Sequence, residues 1–75
     1  MSDEFTLASM RRLLVKQGKA RVSLEAAEAF RITVGEYSNK LARAAYDNMV
    51  SESRKTILER DISKGVKALE KNILG

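Results

Sequence analysis

Ser and Asp side chains are scattered through this 75-residue sequence, and none has beside it the base that nucleophilic or acid–base catalysis would need. Histidine and cysteine are both absent, which removes the commonest general base, the thiol nucleophile and the usual zinc ligands. There is no glycine-rich phosphate loop either. The sequence therefore predicts no enzyme, no metal site, no cofactor and no small-molecule substrate. What it does carry is charge. Its 14 Lys and Arg against 10 Asp and Glu give a formal net charge of +4 and an isoelectric point near 9.7. An excess of that sign in so small a chain points to a polyanionic partner. Two clusters stand out, Lys19 with Arg21 and Arg54-Lys55 followed by Thr56.

The elements that hold these clusters follow from periodicity. The chain has no proline and is rich in Ala, Leu, Glu, Lys and Arg, so helices are favoured throughout. Leu7, Met10 and Leu14 recur at helical spacing and predict a short amphipathic helix from Thr6 to Gln17. Gly18 fits the left-handed position just past that helix, and Lys16 suits the helix dipole. Lys19 to Val22 reads as an extended loop. Ser23 is a good N-cap for the next helix, with Glu25 and Glu28 near its start. Ala27, Phe30, Val34, Tyr37, Leu41, Ala45 and Met49 then recur at steps of three or four, up to Ser51–Ser53. That is a helix of about 28 residues, roughly 42 Å long. A loop from Ser53 to Ile57 leads to a third helix, opened by Thr56 and Glu59 at capping-box spacing, with Ile62, Val66, Leu69 and Ile73 facing inward.

Residues 1–75 thus read as one all-α domain. A lone domain of this size buries only about 60% of its unfolded surface. With disulfides and metal excluded, a partner chain is the remaining source of stability. Two short helices cannot cover the long one, whereas a second copy crossing it at the middle would. Gly35 lies near that midpoint, where a missing side chain lets two backbones approach. No apolar run nears the roughly 20 residues of a membrane span, and Met1-Ser2-Asp3-Glu4 does not resemble a signal peptide. No membrane partner is expected, and the chain should stay in the compartment where it is made.

The order short helix, loop, long central helix, loop, short helix resembles the histone fold, and the two loops make the likeness specific. Gly18-Lys19-Ala20-Arg21-Val22-Ser23 is similar to the first histone loop. Arg54-Lys55-Thr56-Ile57-Leu58-Glu59-Arg60-Asp61-Ile62 is similar to the second loop and the start of the third helix, with Arg-x-Thr and an Asp seven residues after the Arg. The likeness is to archaeal and related prokaryotic histones, over about Leu7 to Leu69.

The resemblance implies a handshake homodimer with Phe30, Val34, Tyr37 and Leu41 in its core. It implies a cytoplasmic, nucleoid-associated protein that bends, bridges or compacts double-stranded DNA without sequence preference. Arg21 would enter the minor groove, and Arg12, Lys55 and Thr56 would hold backbone phosphates. Lys19 joins them as a basic residue of the same loop. Arg54 and Asp61 would form a structural ion pair closing the second loop onto the third helix. The alternative within the same fold is a protein-interaction subunit of a larger transcription or chromosome complex.

The sequence departs from that family near the end of the long helix. Asn48 and Ser51 stand where an apolar residue and a histidine commonly join dimers into arrays. A tetramer is then expected to use a non-standard contact, with Asn48, Ser51, Ile73 and Leu74 as its candidates. Leu58 likewise replaces a frequent lysine. Arg11, Arg31, Lys40 and Arg43 are expected to be ordinary solvated charges.

Overall fold

The computed structural model describes residues 5–74, with side chains through residue 71. Among these residues there are three α-helices and no strand: α1 (Leu7–Val15), α2 (Leu24–Ser51) and α3 (Glu59–Leu74). The central helix has 28 residues. The chain divides into two compact units between Glu36 and Tyr37, each with a small core of its own.

In the first unit Thr6 is extended (φ −92°, ψ 155°), and its Oγ1 accepts a hydrogen bond from the Ser9 amide at 3.1 Å, which starts α1. Met10 and Ala27 are its buried apolar side chains. The helix ends at Val15, earlier than its apolar spacing suggests. The Gln17 and Gly18 amides donate back three residues, to the carbonyls of Leu14 (3.4 Å) and Val15 (3.2 Å). These tighter turns satisfy the last carbonyls without a left-handed residue. Gly18 accordingly has no positive φ, contrary to the role its position suggested. Ser23 does cap α2, its Oγ accepting from the Ala26 amide at 3.0 Å.

In the second unit Ala45 and Met49 are the buried apolar side chains, and the left-handed residue lies at the end of α2. Ser53 has φ 58°. Its amide donates to the Val50 carbonyl (2.9 Å), and the Arg54 amide donates to the Met49 carbonyl (3.1 Å). Together these two bonds make a Schellman ending with serine in the place glycine usually holds. Ser53→Gly should therefore stabilise the protein, relieving a left-handed penalty of about 1–2 kcal/mol against a smaller added chain entropy. A net gain of about 0.5–1 kcal/mol is expected. It would appear as a higher urea midpoint at unchanged slope, and an unchanged midpoint would show that the turn holds serine without strain.

Two expectations for α3 are corrected. The helix starts at Glu59, so Thr56 stays in the loop and is not its cap; Leu58 is the residue before the helix, and Asp61 serves its amide. The most buried positions are Asp61 and Gly65; of the expected inward residues Val66 and Leu69 are half-buried, while Ile62 is 40% exposed. A Cβ on Gly65 would stand 2.9 Å from Leu41 Cδ1 and 3.3 Å from Ala44 Cβ, so α3 lies against α2 at the one position without a side chain. Leu41 Cδ1 can rotate away from an alanine, which also gains about 1 kcal/mol of helix propensity, so Gly65→Ala should be close to neutral. Gly65→Val cannot be accommodated in that way and should cost about 1–3 kcal/mol in denaturant titration.

Candidate nucleic-acid interface

The second loop is organised around one carboxylate. Asp61 is fully buried. Its Oδ1 accepts from Arg54 Nη2 at 2.6 Å and from Asn48 Nδ2 at 2.6 Å. Its Oδ2 accepts from Arg54 Nη1 at 3.1 Å and from the Leu58 amide at 2.7 Å. One side chain thus ties the last turns of α2, the loop and the first turn of α3 together. Arg54 Nη1 also donates to the Thr56 carbonyl at 2.8 Å, which shapes the loop between them. The Arg54 side chain is only 21% exposed, and its terminal nitrogens are engaged within the chain.

The bidentate Arg54 guanidinium, then the Leu58 amide, hold the Asp61 carboxyl well below the usual carboxylate range. Asp61 in return raises the basicity of Arg54. Because the folded-state pKa lies below the unfolded one, the stabilisation from this pair is complete above about pH 4 and fades as the pH falls further. The melting temperature should therefore decline steeply between about pH 4 and pH 2. Asp61→Asn should flatten that decline when melting is followed by circular dichroism.

With Arg54 engaged, the groups left on the outside of the loop are Lys55 and Thr56, both exposed. In the first unit Lys19 and Arg21 are exposed in the loop before α2. Arg12 is exposed on α1, where its Nη2 reaches Ser9 Oγ at 3.3 Å. Each of the two loops therefore presents basic or hydroxyl side chains to solvent without catalytic groups beside them. That arrangement can hold phosphates. Arg43 is differently placed, pairing with Asp47 at 3.3 Å and lying over the Tyr46 ring at 5.8 Å.

Of the apolar stripe on α2, Phe30, Val34 and Leu41 are half-buried and Tyr37 is exposed. Asn48 and Ser51 are both occupied within the chain: Asn48 holds Asp61, and Ser51 Oγ donates to the Asn48 carbonyl at 2.8 Å. Ile73 and Leu74 lie outside the residues whose side chains are described.

Sequence reasoning missed Glu52. Its Oε1 accepts from Arg54 Nε (3.0 Å) and from Arg60 Nη2 (2.9 Å), and its Oε2 is 4.0 Å from Lys64 Nζ. Hydrogen bonds from Arg60, then Arg54, lower its pKa. Nothing in a local pattern marks this residue, because its partners stand two, eight and twelve places further along.

Among the described residues no cluster of acidic side chains could hold a metal ion, and no helix is long and apolar enough to cross a membrane. Residues 3–66 match the family model described as histone-like transcription factor (CBF/NF-Y) and archaeal histone.

Proposed function

We propose that this chain, which belongs to the histone-like transcription factor (CBF/NF-Y) and archaeal histone family, pairs with a second copy of itself and binds double-stranded DNA as an architectural protein. The family gives the chain its histone fold and, in general terms, dimerisation, DNA binding and association with the chromosome. The finer reading rests on one observation above all: Asp61 absorbs the Arg54 guanidinium while Lys55 and Thr56 remain outside. The loop is held rigid by its buried arginine and meets phosphate with its other side chains. Lys19, Arg21 and Arg12 supply the second set of contacts, and Arg21 enters the minor groove. Affinity then comes from phosphate neutralisation and the bendability of the duplex, without reading of base edges.

A second copy covers Phe30, Val34, Tyr37 and Leu41, which one chain alone leaves half-buried or exposed. The dimer carries a net charge of about twice the single chain's +4. Since Asn48 and Ser51 are bonded within the chain, the end of α2 offers little to another dimer, and a tetramer would need a different face, with Ile73 and Leu74 as candidates. Titrating duplexes of unrelated sequence at several salt concentrations tests the reading. Affinity should fall steeply with salt and vary little with sequence, and the opposite result would sink it.

The family description also names transcription factors, which supports a second reading as one subunit of a larger complex. The exposed Ile32, Tyr46 and Val50 on α2 would then face an unlike chain. Mass measurement of the protein alone separates the two: a discrete dimer favours the first reading, and a chain that folds only with another protein favours the second.

A further inference from the structure

We infer that the outer face of α3 is a second duplex-binding surface, distinct from the loops, so that one dimer joins two DNA segments. Arg60, Lys64, Lys67 and Lys71 follow one another at steps of four, three and four, which places them in a single line along the helix. The line is about 16 Å long at 1.5 Å per residue. All four residues are exposed. Of the acidic residues of α3, Asp61 is buried and Glu59 stands roughly 100° around the helix from Arg60, while Glu70, three places after Lys67, lies at the edge of the line.

The near end of this line already pairs with a carboxylate of the chain itself. Glu52 reaches that end from the turn after α2, one carboxylate oxygen 2.9 Å from Arg60 Nη2 and the other 4.0 Å from Lys64 Nζ. The rest of the line carries no such anion, since Lys67 and Lys71 form no ion pair among the described residues. A duplex offers about one negative charge per 1.7 Å of axis, so about ten along a line of this length. A lipid surface fits less well, because α3 turns Gly65 toward Leu41 and Ala44 and has that side committed to protein.

The inference rests on the DNA-binding reading above, and the test keeps the two apart. An immobilised duplex is loaded with protein and offered a labelled second duplex. The wild type should capture it. The triple variant Lys64→Gln, Lys67→Gln, Lys71→Gln should capture at least tenfold less, while its affinity for a single duplex changes less than threefold and its helical circular dichroism is retained. The triple arginine variant at the same positions should capture normally. Unchanged capture by the glutamine variant overturns the inference, as does an equal loss of single-duplex binding, which would make the stripe part of the primary site. A wild type that binds one duplex but captures no second, or that captures anionic vesicles instead, overturns it and leaves the DNA reading standing. A wild type that binds no duplex sinks that reading and the inference with it.

Discussion

Asp61→Ala should leave the protein largely unfolded at room temperature, or lower its melting temperature by on the order of 15 °C or more. The substitution removes a carboxylate that accepts from Arg54 twice, from Asn48 and from the Leu58 amide. It leaves a mostly buried guanidinium with only the half-exposed Glu52 as counter-charge, and breaking a pair from one side costs far more than the intact pair contributes. It also removes the group that serves the start of α3. A domain this small has little margin to absorb such a loss. The double variant with Arg54→Ala should recover part of the stability, because the guanidinium that has lost its buried partner is then gone. Thermal melts of the two single variants and the double variant check this; additive effects would show that the two side chains stabilise the fold independently.

The second large effect concerns binding. Arg21→Glu combined with Lys55→Glu should keep the helical spectrum and the dimer mass while weakening duplex binding roughly a hundredfold or more at moderate salt. Both side chains are exposed and neither is bonded to the core, so folding has little to lose. A dimer loses two phosphate contacts in each chain. At about 0.9 per contact, the slope of log affinity against log salt should flatten by about 3.6. Duplex titrations at several salt concentrations measure both quantities. An unchanged slope would mean that the loops do not meet the phosphates.

Much of this was legible in the sequence because it rests on local chemistry. The apolar steps from Ala27 to Met49 mark the long helix and Ser23 marks its start, while the lock between Arg54 and Asp61 is expected from the resemblance of the second loop to its histone counterpart. What was not legible depends on geometry that no local pattern states. Gly18 looked like the left-handed residue, yet a tightened turn closes α1 and Ser53 carries the positive φ instead. Thr56 and Glu59 have the spacing of a capping box, but Arg54 draws the Thr56 carbonyl toward itself, and Asp61 takes over the Leu58 amide. Asn48 stands out because it occupies the place where the resembling family commonly has an apolar residue joining dimers, and that likeness points to no partner within the chain. The Asn48 side-chain amide donates to the buried carboxylate 13 residues later. Of the expected inward stripe Val66 and Leu69 are half-buried, while Ile62 is exposed because the most buried positions beside it are an aspartate and a glycine, the two residue types that a hydrophobic pattern cannot register.

The bonds that converge on Asp61 span only three, seven and thirteen residues of chain. Closing loops so short is fast and entropically mild, and it needs no other molecule. The end of α2, its turn and the start of α3 can therefore assemble at a rate independent of protein concentration, ahead of any encounter between two chains. Pairing would then join segments that already hold their loop in shape. The slow, concentration-dependent phase of refolding would belong to the meeting of the long helices, while the phosphate-facing loop is already formed when that meeting takes place.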